Sequence, residues 1–278
     1  MFDNSRARPQ DAAVLDAAEA WKEIDGLHFS VSDGVMALVV DRPDKANALT
    51  PEMYEGLRRA LLLADMDDSV ELVTVTATGD QYFVPGGDLS IGADQWGSDL
   101  VGKLVAAEGA FPYQGFERCS KLVITAVNGM CQAAGLIIVL MSDLVIASDR
   151  ATFRVPELLR GLVDPFVPPR LPMHIGLAKA RWMIFTAEEL DALAAERAGL
   201  VGKVVPHDEL PRALEETIRL VRRTAPGARA RAKRMINSEL VRIRLDEFLA
   251  AMRSPEAVEG MRSFAEKRPP SWRPPADT

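Results

Sequence analysis

Residues 124–143 read ITAVNGMCQAAGLIIVLMSD, and the fold turns on this stretch. It continues an apolar, β-branched run that begins at Leu122 and lasts to Val127, a strand candidate. Asn128-Gly129 follows as a turn signal. Ala133, Ala134 and Gly135 are small, and the residues from Leu136 are apolar on every side, as in a helix enclosed by protein. Small side chains there leave the N–H groups of the first helical turn open to approach, although close packing of a core helix asks for the same residues. The apolar stretch 133–146 is broken by Ser142 and Asp143 and is too short to span a bilayer. It reads as a buried helix running into another strand.

Working outward, residues 28–41 (HFSVSDGVMALVVD) alternate and then become continuously apolar, with Asp33-Gly34 between the halves, which predicts a β-hairpin. Thr50-Pro51-Glu52 supplies an N-cap, a first-position proline and an early acid for a helix to about Ala64. Residues 71–77 are β-rich and end in Thr78-Gly79-Asp80. Residues 144–147 form a further short strand, and 151–154 start another. Strands alternating with helices to about residue 205 predict an α/β layer architecture. After that, 207–223, 228–251 and 255–267 have helical length and periodicity, and the proline-rich tail RPPSWRPPADT cannot continue a helix. The expected organisation is an arm over 1–24, a core domain over 25–206 and a helical region over 207–278.

The 278-residue chain is 48% apolar and 26% charged, an ordinary globular composition, and its net charge of −7 argues against a nucleic-acid partner. No apolar run reaches membrane length, and the first residues lack a signal-peptide core, so a cytoplasmic chain with buried, reduced Cys119 and Cys131 is expected. His28, His174 and His207 are too scattered for a metal site, and no Walker loop, dinucleotide fingerprint or glycine-x-serine-x-glycine elbow is present.

Three segments carry chemistry. Tyr82-Phe83-Val84-Pro85-Gly86-Gly87-Asp88-Leu89 is a strand end opening into a glycine pair, where backbone N–H groups can meet an anion; it is equally a plain Gly-Gly-Asp turn. Residues 124–143 offer the accessible helix start. Ala151-Thr152-Phe153-Arg154-Val155-Pro156-Glu157 places an acid after a proline in mostly apolar sequence, a position where a lone glutamate is usually solvated or salt-bridged.

Together and in this order the segments resemble the crotonase (enoyl-CoA hydratase/isomerase) superfamily over roughly residues 27–270. Asp41-Arg42-Pro43-Asp44-Lys45-Ala46-Asn47-Ala48-Leu49 is similar to the family's CoA-pocket segment, Phe83 to Leu89 to its first oxyanion loop, and Val127-Asn128-Gly129 through Asp143 to its second loop and helix. Pro156-Glu157 is similar to its catalytic proline-glutamate, and residues 260–268 to its closing phenylalanine and lysine segment. The resemblance implies a crotonase (ClpP-like) fold of repeated ββα units with a helical C-terminal trimerisation region, hence a homotrimer or dimer of trimers. It implies oxyanion donors at the N–H of Gly87 and of Ala134, since Pro85 has no N–H. It implies Glu157 as acid and base, and Lys45, Ala46, Ala48, Asp88, Leu89, Phe264 and Lys267 beside CoA, which is part of the substrate and not a separate cofactor.

The departures matter as much. The first of the two glutamates of a standard hydratase of the family falls on Ile137, which cannot orient water. Glu157 alone suffices for an isomerase. Asp164, with a one-residue gap, falls where dienoyl-CoA isomerases of the family carry a second acid; it reads equally well as a cap for a helix beginning near Pro165. The expectation is therefore an enoyl-CoA or dienoyl-CoA isomerase. The alternatives are a hydratase, a CoA-thioester hydrolase or carbon–carbon cleaving enzyme, and a non-catalytic acyl-CoA binding protein. Phe166 and the prolines at 165, 168 and 169 imply a stiff, differently shaped acyl wall. Lys233 or Arg234 is a candidate for the CoA phosphates within an otherwise solvated basic face.

Overall fold

The computed structural model describes residues 24–88 and 113–273. The 28–41 signal becomes a hairpin, β1 (Leu27–Ser32) and β2 (Val35–Val40), turning at Asp33 and Gly34, both with positive φ. Helix α1 (Pro51–Met66) starts where expected, with the Thr50 hydroxyl accepting the Met53 N–H at 3.3 Å.

Three chain segments then repeat one course. Strand β3 (Leu72–Ala77) leads to β4 (Tyr82–Val84); β5 (Leu122–Val127) leads to β6 (Met130–Gln132); β7 (Leu144–Ser148) leads to β8 (Thr152–Arg154). The first member of each pair enters a six-stranded sheet ordered β1-β2-β3-β5-β7-β10, with β10 at Lys203–Val205. The second enters a smaller sheet ordered β4-β6-β8-β9, with β9 at Leu190–Asp191. In the large sheet only the β1–β2 pair is antiparallel. In the small sheet β4, β6 and β8 run parallel. The sequence reading carried Asn128-Gly129 straight into the helix, whereas a short strand, β6, intervenes; three residues are too few to show a hydrophobic period.

Helix α2 (Gln114–Arg118) precedes β5, and α3 (Ala134–Met141) is the enclosed apolar helix, with every residue buried. A 3₁₀ turn, Glu157–Arg160, follows β8 and precedes α4 (Val167–Ile175) and α5 (Leu177–Thr186). Pro168 and Pro169 sit in the first turn of α4, where an N–H has no intrahelical acceptor to lose. Helix α6 (Ala192–Ala198) leads into β10.

The main core lies between the two sheets and α1 and α3. The other face of the large sheet, with Leu72, Ile124, Ala126 and Ile146, is covered by Leu210, Ala213 and Val221 of α7 (Leu210–Arg222). The C-terminal helices thus lie against the core. The expected helix over 228–251 is two, α8 (Pro226–Ser238) and α9 (Leu245–Met252). The break lies where the buried guanidinium of Arg170 on α4 takes the Val241 carbonyl and Asn237 donates to the Glu117 carbonyl at 2.9 Å. These tertiary bonds draw the chain off the helical path. Helix α10 (Pro255–Ala265) is the last helix among the described residues. Among the described residues no helix is long and apolar enough to cross a membrane, and no His/Cys/Asp/Glu cluster could hold a metal. Cys119 and Cys131 are buried free thiols, as expected.

Lys233 does not reach outward as the phosphate reading required. It is buried, and its ammonium donates to Asp143 at 2.6 Å and to the Lys121 carbonyl at 2.9 Å, tying α8 to the edges of β5 and β7. Removing one partner of a buried pair leaves the other charge uncompensated. Lys233→Met is therefore expected to lower stability by about 3 kcal/mol, read as a lower urea midpoint with an unchanged slope.

Candidate active site

The small sheet brings the three segments together. Because β4, β6 and β8 are parallel neighbours, the loops leaving their carboxyl ends emerge side by side: Pro85–Asp88 after β4, Ala133 after β6, Val155–Glu157 after β8. Carboxyl ends of parallel strands are where α/β sheets collect ligands.

The first two loops nearly touch. A methyl added to Gly86 (φ 140°) would stand 3.3 Å from the Ala133 Cβ, and one added to Gly135 would lie 2.2 Å from the Val84 carbonyl oxygen. Only glycine at 135 lets α3 abut the end of β4 this closely. Ala133 holds φ 46° and ψ −114°, a left-handed backbone that glycine adopts without strain. It turns β6 sharply into α3, so the N–H of Ala134 faces out of the helix start. Among the described residues neither the Ala134 N–H nor the Gly87 N–H donates to a protein acceptor, whereas their neighbours do: Asp88 N–H bonds the Leu49 carbonyl at 2.8 Å and Ile137 N–H the Ala133 carbonyl at 3.0 Å. Two adjacent loops thus present one unused donor each.

The 41–49 segment is the frame of the first loop. Leu49 pairs with Gly87 as an isolated parallel bridge. The guanidinium of Arg42 bonds the Ala48 carbonyl at 2.6 Å and the Asp88 carboxylate at 3.2 Å. Asn47 is fully buried; its amide nitrogen bonds the carbonyls of Thr78 and Tyr82, each at 2.9 Å, and its oxygen takes the Arg42 N–H at 2.9 Å. Ala46 and Asn47 both have positive φ, which folds the segment under the glycine loop. Of the residues expected beside CoA, Asp88 is engaged with Arg42 and Ala48 with the same guanidinium, while Lys45 is exposed and Ala46 half-buried. Leu89 lies outside the described residues.

Glu157 opens the 3₁₀ turn, and its Oε2 is covered and, among the described residues, has no hydrogen-bond partner. Burial and then the charge of Asp164 push its pKa up to about 8. Asp164 Oδ1 accepts the N–H groups of Phe166 at 2.7 Å and Val167 at 2.8 Å, so it does cap α4; the same placement sets its carboxyl against Glu157. Burial pushes Asp164 up to about 6, opposed by those two amides. The cap and the acid pair are one arrangement.

Tyr54 of α1 and Tyr113 ahead of α2 were not singled out in the sequence. They are hydrogen-bonded to each other, both buried, and both raised in pKa by burial and by the nearby charges of Asp164 and Glu157. Their rings meet edge-on at 5.7 Å, and Tyr113 meets Phe166 edge-on at 5.3 Å. A tyrosine on the buried stripe of a helix was the available signal, since its hydroxyl must find a partner inside. Ile137 is buried on α3. Arg154 does not pair with Glu157; its Nε bonds the Ala187 carbonyl at 2.6 Å. Phe264 of α10 lies beneath the Arg160 guanidinium, 4.5 Å from ring centroid to carbon, and Lys267 is exposed.

Paired donors beside a half-buried carboxyl couple can receive a carbonyl oxygen as it gains charge and can move a proton next to it. Comparison with known proteins supplies the family. The family model described as enoyl-CoA hydratase/isomerase matches residues 30–275. Carnitinyl-CoA dehydratase of Proteus mirabilis is 29% identical over 263 residues, 89% of this chain and 98% of that protein. Mevalonyl-coenzyme A hydratase of Aspergillus fumigatus is 31% identical over 257 residues, 86% and 92% of the two chains. The crystal structure of carnitinyl-CoA hydratase from Mycobacterium avium superposes with a TM-score of 0.78 at 30% identity, covering 90% of this chain and 99% of that one. The chain belongs to the enoyl-CoA hydratase/isomerase family and has its crotonase fold.

The raised carboxyl pair has a consequence for stability. An acid whose folded pKa lies above its unfolded value favours the fold most fully at low pH, and that contribution is lost as pH rises from the unfolded value to the folded one. For Glu157 the window runs from about 4.5 to about 8. Glu157→Gln is expected to melt above the wild type at pH 8 and to converge with it near pH 4.5, measured by thermal scans across that range.

Proposed function

We propose that the protein moves a carbon–carbon double bond along the acyl chain of an enoyl-CoA through a thioester enolate. The observation that carries this reading is the buried, unbonded Oε2 of Glu157 beside Asp164, with Ile137 in place of a second glutamate. The thioester oxygen accepts the N–H groups of Gly87 and Ala134 as charge builds on it. With the couple's proton held on Asp164, ionised Glu157 takes a proton from one carbon of the chain and returns one to another, so no atom is gained or lost. Like charges side by side oppose double ionisation, so the Glu157–Asp164 couple retains one proton near neutrality. Either carboxyl then has a partner able to take up or supply that proton, which suits transfer between carbons too far apart for one group. CoA serves as the handle, with Lys45, Ala46, Phe264 and Lys267 offered toward it.

Hydration or dehydration is the second reading, favoured by the names of the relatives. For it Asp164 or the Tyr54–Tyr113 pair must hold the water that Ile137 cannot. Purified wild type and Glu157→Gln on 2-enoyl-, 3-enoyl- and dienoyl-CoA esters separate the two. Glu157→Gln is expected to lose about 10²–10⁴-fold in kcat/KM, with wild type shifting the double bond and Asp164→Asn sharing the defect on dienoyl esters. A hydrated product, dependent on Glu157, would replace migration by hydration; free CoA would point to hydrolysis.

The same reading includes assembly into trimers or dimers of trimers. Leu177, Trp182 and Phe185 on α5 stand 54%, 58% and 73% exposed, with Met173 of α4 also exposed, so these helices offer large apolar side chains that an assembly could cover. Phe185→Asp is expected to shift the mass seen by light scattering toward the monomer.

A further inference from the structure

Arg160 is a half-buried guanidinium that, among the described residues, forms neither an ion pair nor a hydrogen bond. Burial lowers its pKa first, Glu157 raises it, and Arg154 lowers it again. Arg154, whose Nε donates to the Ala187 carbonyl, adds positive charge near Arg160, and Glu157 is the acid that acts on it. When Glu157 carries the couple's proton, the remaining negative charge sits on Asp164, which accepts the Phe166 and Val167 N–H groups and makes no ion pair with Arg160.

Its position follows from the local backbone. Glu157–Arg160 is a 3₁₀ turn, in which side chains three residues apart eclipse one another, displaced by roughly 6 Å along the axis. Arg160 is thus rooted on the same side of the turn as Glu157. The root is held firmly: a methyl on Gly260 of α10 would come within 1.9 Å of the Arg160 carbonyl oxygen, and one on Gly161 within 2.5 Å of the Glu256 carbonyl oxygen. The Phe264 ring supports one face of the guanidinium, leaving the N–H edge to seek an acceptor.

We propose that Arg160 is a specificity residue that binds an anionic group of the substrate, and that this group is a carboxylate on the acyl chain. This rests on the acyl-CoA reading above. A cation rooted one 3₁₀ turn from the acid that works beside the thioester meets groups a few bonds from the reacting carbons. The CoA phosphates share the chemistry, and the Phe264 ring that supports Arg160 is itself offered toward CoA; the pantetheine thioester, which lacks those phosphates, separates the two sources. The substrate class is therefore an enoyl-CoA whose acyl group ends in a carboxylate.

The experiment compares wild type with Arg160→Gln and Arg160→Lys, each checked by thermal melting. The probes are saturated, unreactive CoA esters of equal length ending in methyl or carboxylate, together with the pantetheine thioester of the carboxylate-ended chain. Binding is read by calorimetry and does not depend on turnover; the matching enoyl esters give kcat and KM. Arg160→Gln is expected to weaken carboxylate-ended binding about 10–100-fold, in CoA and pantetheine forms alike, and to raise KM with kcat little changed. Methyl-ended binding changes little, and lysine restores part of the loss. Equal loss for both CoA esters but none for the pantetheine form would assign the phosphates as the anion and overturn the carboxylate proposal. Unchanged binding of every ester, or a wild type without preference for the carboxylate, would overturn it as well. Selective carboxylate binding without double-bond migration would instead count against the isomerase reading and leave Arg160's role standing.

Discussion

A single close approach organises this molecule: the first turn of α3 against the carbonyl at the end of β4. Gly135 has no side chain at the point where a methyl would lie 2.2 Å from the Val84 oxygen, and Ala133 accepts a left-handed backbone to bring the chain there. If α3 stood further out, the Gly87 loop and the helix start would no longer present their unused N–H groups to one point. The strain at Ala133, of order 1–3 kcal/mol for a residue in such a region, is held by the all-apolar helix that follows, every residue of which is buried.

Around that contact the sequence spends its polar groups on holding loops in place. Arg42, Asn47 and Asp88 belong to segments that resemble a CoA pocket, yet their hydrogen bonds describe a frame: Asn47 ties three backbone groups and Arg42 clamps Asp88 and the Ala48 carbonyl. A buried loop carrying free N–H groups needs such a frame, because its own backbone bonds are incomplete. Arg170 and Lys233 act similarly further out. The first ion-pairs with Glu117 at 2.7 Å and fixes α4, which begins at the Asp164 cap; the second fixes α8.

The carboxyl pair is the costly part of the arrangement. Asp164 is stabilised by two amides at the start of α4, and Glu157 Oε2 by none, so desolvation falls most heavily on Glu157. An environment that separates two carboxyls in this way assigns them different protonation states. The tyrosine pair and Phe166 wall the same space with rings whose only polar atoms are hydroxyls bonded to one another, which keeps the dielectric low beside the acids.

Much of this was legible in the chain. Hairpin, capped helix and strand follow from local rules: Asp33-Gly34 turns, Thr50 caps, and residues 122–127 have the β-branched composition of a strand. The glycine pair, the small residues at 133–135 and Pro156-Glu157 were visible as places where backbone or acid could act, because those properties belong to single residues. The small sheet was not visible, since strands of three residues carry no period, and neither was the break between α8 and α9, which Arg170 imposes from 71 residues away in sequence. Tertiary structure alone decided that Asp164 both caps α4 and stands near Glu157, that Tyr54 meets Tyr113, that Lys233 faces inward and that Arg160 has no ion pair among the described residues. Each of these is a relation between side chains brought together by packing, and a charge or hydroxyl has no fixed role until the fold sets what stands beside it.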